Sequence, residues 1–311
     1  NTSIPVVIHI VKNTNDTDMN ISDEMVYRQL EILNETYNQN NTDVENTPEF
    51  FEPLIGNVGF EFCLATVDPL GYSTTGITRN STDVSVFSTV SNNIKYASEG
   101  GVDAWDTDSY LNIWVGKLSS SILGYSHVPS ASVPDQEQGV VVNYPFFGET
   151  NHSSYNMGKT LVHEIGHYFN LKHPWGNGNC DQNNDWVDDT PTCESAYAGS
   201  PVHPQTSCET VDMFMNFMDY VYDSSMVMFS IGQAERMQTA LQYFRPGLLE
   251  SNGCGIPSLI AKPAILHASE VDANDASIEL NVVSGIPPYT IQWESGEETN
   301  YLADIATGSY S

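Results

Sequence analysis

Basic residues are scarce in this chain. Lysine and arginine total 10 against 40 aspartates and glutamates, a formal net charge of −30 over 311 residues. Nucleic acid is therefore not an expected partner, because phosphate binding needs clustered cations. Long apolar runs are missing too: nothing approaches the ~18 residues of a membrane helix, so no transmembrane segment is expected. Cys-x-x-Cys pairs are absent. The five cysteines, at 63, 180, 193, 208 and 254, lack the spacing of a zinc–thiolate site. Three of them lie in a loop region rich in Gly, Asn and Asp, where disulfides staple secreted proteins, and the odd count leaves one unpaired. The opening "NTSIPVVIHIVKN" is an apolar strand-like run without the form of a signal peptide. It suits either a cytosolic start or a mature chain after processing.

What is present is enough for a packed core, with 40% hydrophobic and 11% aromatic residues. The length fits one large domain or two of ordinary size. Most of the carboxylates are read as solvated surface, and a handful as calcium ligands. "IPVVIHIV" (4–11), "VGFEFCLATV" (58–67), "SYLNIWVGKL" (109–118), "SILGYSHVP" (121–129) and "GVVVNYPFF" (139–147) read as strands. Helices are predicted over 22–39, where Ser22 is an N-cap, over 156–171, and over 230–249, capped by Ser230 and closed by Pro246 and Gly247. Strand, helix and further strands predict helices layered on a mixed sheet. Near residue 255 the character changes. Short strand-like runs with Gly/Pro turns follow, the pattern of a partial β-sandwich over 256–311.

The chain has eight histidines, and three fall within "LVHEIGHYFNLKH" (161–173). His163 and His167 are four apart and share a helix face, where two imidazoles can bind one zinc ion. Glu164 is displaced about 100° around the helix, too far to be a ligand but placed to reach a water on the metal. His173 completes the set only if the chain breaks, since a continuing helix would carry it ~9 Å away. Asn170 permits the break, because asparagine visits the left-handed region more readily than other non-glycine residues.

These residues resemble the metzincin pattern H-E-x-x-H-x-x-G-x-x-H, with Asn170 in place of the clan's glycine. "MNFMDY" (215–220) resembles the Met-turn, with Met218 beneath the metal as packing and Tyr220 at the position of a tyrosine that approaches zinc in several metzincins. With "FEFCLAT", "YLNIWV", "LGYSHVP", "HEIGHYFNLKHPWG", "WVDDTP" and "MFSIGQAERM", the chain is similar to the pappalysin family, of the bacterial secreted type, from about residue 4 to 254.

The resemblance implies an α+β fold: a metzincin-type two-subdomain catalytic domain (1–255) with a mixed twisted sheet and an active-site helix. It implies a secreted or cell-surface zinc endopeptidase acting on protein or peptide substrates, often made with a pro-segment. His163, His167 and His173 would bind zinc, Glu164 would serve as general base and acid, and Tyr220 would assist catalysis. "SILGYSHVP" would be the edge strand that pairs with an extended peptide. Calcium is a second candidate cofactor. "CDQNNDWVDDTP" (180–191) offers Asp181, Asn183, Asp185, Asp188 and Asp189 as oxygen ligands, and pappalysins bind calcium near this loop. The resemblance pairs Cys180 with Cys208. It leaves Cys193 in doubt, because Ser225 stands where a partner would be. Cys63 and Cys254 are a further candidate pair that the sequence does not decide.

The C-terminal piece resembles bacterial adhesin repeats, which suits a spacer or surface attachment. Nothing demands more than a monomer. The competing reading is an adhesin or binding module with a structural or degenerate zinc site. It draws on that tail and on Asn170, and the intact Glu164 argues against it. A zinc hydrolase acting on other bonds is a third reading, weakened by the edge-strand and Met-turn patterns.

Overall fold

Every backbone group on a buried strand needs a partner, and the longest apolar run, at the amino terminus, organises the sheet that supplies them. The computed structural model describes residues 2–119, 121–178, 180, 185–270 and 273–311. It divides into two compact units, Asn1–Leu64 with Gly76–Cys254, and Ala65–Thr75 with Gly255–Ser311.

In the first unit, β1 (Thr2–Asn13) is flanked on one side by β2 (Phe60–Leu64) and then β3 (Ile77–Thr82). On the other side lies β4 (Leu111–Gly116), all parallel to β1. The sheet continues through β6 (Val140–Asn143) to β5 (Gly124–Ser126), which is antiparallel and forms the edge. β1, β4 and β6 are nearly continuous in apolar residues because both sheet faces are covered. Ile4, Val6, Ile8 and Ile10 face the main core, shared with α1 (Asp23–Tyr37), α2 (Lys159–Tyr168) and α3 (Ile231–Phe244). Val11, Trp114 and Val141 face a second, smaller core. Two-residue strands β7 (Thr206–Ser207) and β8 (Thr210–Val211) form a separate ladder.

The elements differ from the sequence expectation in understandable ways. β3, "ITRNST", was not expected, since a largely exposed edge strand lacks apolar alternation. The strand expected over 121–129 shortens to three residues. That expected over 139–147 stops at Asn143, where Tyr144–Phe146 turns as a 3-10 helix around Pro145. The helix expected over 230–249 is two, α3 and α4 (Gly247–Glu250). Pro246 disfavours helical geometry at Arg245, whose guanidinium instead lies 3.4 Å over the Tyr168 ring while its Nε donates to the Tyr168 carbonyl. α2 starts at Lys159 rather than 156, behind Gly158 at φ +70°.

The second unit carries one three-stranded antiparallel sheet, ordered β11 (Tyr301–Ile305), β10 (Ala276–Ser284), β9 (Ile260–Leu266). Among the described residues, Ala65, Ala276, Trp293 and Leu302 are the unit's buried apolar residues. In the first unit Cys63 is bonded to Cys254 and Cys180 to Cys208, while Cys193 is free and buried.

His9, fully buried on β1, lies between Thr78 Oγ1 (2.8 Å) and Asn112 Oδ1 (3.0 Å). Burial lowers its pKa from 6.5 to about 4. The folded state therefore binds fewer protons than the unfolded state between these values, and stability falls as pH drops through that window. At about 1.4 kcal/mol per pH unit, denaturant titrations are expected to show the parent losing about 3 kcal/mol more than His9→Gln between pH 6.5 and 4. An equal loss in both would remove His9 as the cause.

Candidate metal centre and active site

α2 is a ten-residue helix with buried neighbours on almost every face, and both of its ends are held by distant residues. Gly158 offers no side chain to cap the first turn. Asp223 does so from 64 residues away, its Oδ2 accepting the Met157 N–H (2.7 Å) and the Lys159 N–H (3.5 Å). The other end is a Schellman turn. Asn170 is left-handed at φ +73°, its N–H bonds the His167 carbonyl, and the Leu171 N–H bonds the Gly166 carbonyl, both at 2.9 Å. Arg236 of α3 donates its Nε to the Asn170 carbonyl at 2.7 Å, fixing where the reversed chain goes.

The reversal brings His173 back to the helix. The Nε2 atoms of His163, His167 and His173 lie 3.0 to 3.3 Å apart. Tetrahedral zinc with Zn–N bonds of ~2.05 Å would space its nitrogens about 3.3 Å apart. His163 Nδ1 faces the Phe217 carbonyl at 2.8 Å and His167 Nδ1 faces the Leu171 carbonyl at 2.9 Å. Those nitrogens must carry the proton, which leaves the Nε2 atoms as lone-pair donors. Burial depresses all three imidazoles below their ordinary pKa, His163 strongly and His173 to about 3. Three neutral acceptors converging this closely repel one another unless a cation lies between them, and nitrogen donors of this kind suit zinc. Among the described residues this is the one group of three such side chains arranged to hold a metal.

Glu164 is buried beside this group, and burial raises its pKa to about 8. The edge strand runs against it. A side chain at Gly124 would come within 2.9 Å of both Glu164 Cγ and the Val141 carbonyl, so only glycine lets β5 pass. Tyr220, 47% exposed, has its ring 4.9 Å from that of His173 and 5.6 Å from that of His163. Its phenol is pushed up by burial and by the charge of Glu164. A cavity of about 460 Å³ opens here, lined by Leu123, Gly124, Thr160, Glu164, Tyr220 and Asp223.

Met218 is fully buried and packs against α2 at Gly166. A Cβ on Gly166 would lie 2.4 Å from its Sδ. The turn that carries it is tied to α3 by a reciprocal amide pair, Asn216 Nδ2 to Gln233 Oε1 (2.7 Å) and Gln233 Nε2 to Asn216 Oδ1 (3.0 Å). Gly166, Gly124, Asn216 and Gln233 were not singled out in the sequence. Gly166 left a trace there, since a mid-helix glycine costs about 1 kcal/mol relative to alanine without a packing reason, and so did Gln233, three residues after the Ser230 cap as in a capping box.

The oxygen-rich loop is described only in part. Asp181 and Asn183 lie outside the described residues. Asp185 accepts from the Val187 N–H (3.1 Å) and the Thr190 hydroxyl. Asp189 accepts from Ser230 Oγ (2.6 Å) and the Gly232 N–H (2.8 Å) at the start of α3. Asp188 is exposed.

Residues 94–242 match the peptidase M43 family model, described as pregnancy-associated plasma protein-A. An extracellular metalloprotease of Arthroderma gypseum is 31% identical over 255 residues, covering 79% of this chain and 74% of its own. Another from Trichophyton verrucosum is 29% identical over 256 residues, with the same coverage of both chains. Among solved structures, mature mirolysin of Tannerella forsythia in complex with a cleaved peptide is similar at 39% identity and a TM-score of 0.77. That match covers 83% of this chain and 98% of mirolysin.

Gly166→Ala should lower stability by about 1–3 kcal/mol through overpacking against Met218. Thermal unfolding of the metal-free protein checks this, and an unchanged melting temperature would mean that the two do not pack as described.

Proposed function

The chain belongs to the peptidase M43 family and is a zinc-dependent endopeptidase, and we propose that His163, His167 and His173 hold its zinc ion with Glu164 as the general base and acid. The observation that carries this reading is the convergence of three imidazole Nε2 atoms within 3.3 Å beside one buried carboxylate. When bound, zinc would polarise a water and the substrate carbonyl. Glu164 takes a proton from the attacking water and returns it to the leaving amine. The Tyr220 phenol donates a hydrogen bond to the carbonyl oxygen as negative charge develops there. Met218 and Asn170 support the site without touching substrate, and the Cys180–Cys208 bridge braces the acidic loop. A calcium ion in that loop would draw on Asp181, Asn183, Asp185, Asp188 and Asp189, since a carboxylate that accepts one hydrogen bond keeps lone pairs for a cation.

An extended peptide would add to β5 beside Glu164, by backbone pairing at the sheet edge. One substrate side chain then enters the adjoining cavity. Asp223 lines it, and its buried Oδ1 has no hydrogen-bond partner. Asp219 also lines it, with its pKa raised by burial to about 7. A cavity bounded by two buried carboxylates favours a lysine or arginine side chain. The extracellular relatives place this activity outside the cell. The second unit is read as a spacer or surface-attachment module, and the enzyme as a monomer. The adhesin alternative is not favoured, since a purely structural site has no use for Glu164.

Incubation with a denatured protein pool, with new termini read by mass spectrometry, tests the proposal. The parent should cut, and Glu164→Ala should cut about 10²–10⁴-fold more slowly while keeping one zinc per chain. Equal cutting by both would sink the role given to Glu164. His173→Ala should lose zinc. Sites with Arg or Lys beside the cleaved bond should dominate for the parent and lose that lead in Asp223→Asn. A flat residue preference in the parent would rule out the acidic subsite.

A further inference from the structure

Two of the three imidazoles are oriented by backbone carbonyls, those of Phe217 and Leu171. His173 has no counterpart: among the described residues its ring nitrogens meet only the Nε2 atoms of His163 and His167. It also lies beyond the helix end, on a stretch of turns, where a side chain has more freedom than one on a helix. Among the described residues, its orientation comes from something other than a hydrogen bond to the protein backbone.

Trp175 lies over it. The indole is parallel to the imidazole, with centroids 4.3 Å apart and planes 8° from parallel. It also meets Tyr220 edge-on at 5.0 Å and 67°, and Tyr220 in turn meets His173 at 4.9 Å and 70°. The three rings close a triangle, so none can swing without displacing another. The link between histidine and tryptophan is stiff. Pro174 is buried, restricts His173 to extended geometry, and the Gly176 N–H closes the turn on the His173 carbonyl at 2.9 Å.

We propose that Trp175 is a positioning residue. Its stacked indole does for His173 what the two carbonyls do for the other histidines, and it ties that ring to Tyr220. A face-to-face stack fixes the plane of the imidazole and shields one side of it from water, which keeps the third donor aimed at the metal position. This inference rests on the zinc reading given above.

The test is zinc affinity of the full chain, measured by competition with a chromophoric chelator, with the visible spectrum of the cobalt-substituted protein as a second readout. Loss of a contact that orients a metal ligand costs roughly 10–100-fold in affinity. Trp175→Ala should therefore weaken zinc binding by about tenfold or more and shift the cobalt bands. Trp175→Phe, which keeps a flat ring, should restore most of both. Trp175→Leu, which fills space without a ring face, should behave like Trp175→Ala. Melting of the metal-free forms separates lost orientation from lost folding. Parent-like affinity and spectrum in Trp175→Ala would overturn the proposal, as would Leu performing as well as Phe. If the parent itself binds no zinc and His173→Ala changes nothing, the zinc reading has failed, and this inference with it.

Discussion

Three lone pairs pointed at one another within 3.3 Å is a repulsive arrangement, and the first unit holds it in place. The constraint falls on the five residues between His167 and His173. A continuing helix would separate these imidazoles, and a loose loop would let them drift apart. The chain instead reverses in a single left-handed residue, Asn170, with both Schellman hydrogen bonds made. Arg236 then anchors the reversed backbone to α3. Packing and hydrogen bonding thus shape the metal-binding geometry.

The same economy of contact governs the layer beneath. Glycine at position 166 lets Met218 approach the helix backbone, and that approach brings the Phe217 carbonyl to His163. The turn is held in register by the Asn216–Gln233 amide pair, so α3, though it supplies no ligand, sets the height of the floor on which α2 rests. Asp189 caps α3 and Asp223 caps α2, each from a remote loop. Carboxylates at helix amino termini are favourable electrostatically. In a chain this acidic, part of the negative charge serves helix ends rather than cations.

Local patterns were legible in the sequence. The apolar run of β1, the helix of α1 behind Ser22, and the paired histidines of α2 depend on neighbours a few residues away, and each formed close to its expected place. Readings failed where a long-range partner decides. β3 is polar and is a strand only because β1 offers it an edge. The helix expected over 230–249 breaks at Arg245, whose side chain finds Tyr168 on α2. Gly124 reads as one more residue of the expected strand 121–129 until Glu164 is seen beside it.

By itself the sequence determined the chemistry available. It placed two imidazoles on one helix face, a carboxylate a quarter-turn away, a residue able to reverse the chain, and a third imidazole after it. Those are matters of covalent spacing and helical period, which hold wherever the segment folds. Only the tertiary structure decided which nitrogen of His163 is the donor, because that depends on the Phe217 carbonyl, 54 residues away. Tertiary contact also made the Glu164 carboxyl a weak acid, brought Tyr220 against His173 and Trp175, and turned Asp223 toward both a helix end and a cavity. Burial and orientation arise from segments dozens of residues apart, and no local spacing encodes them.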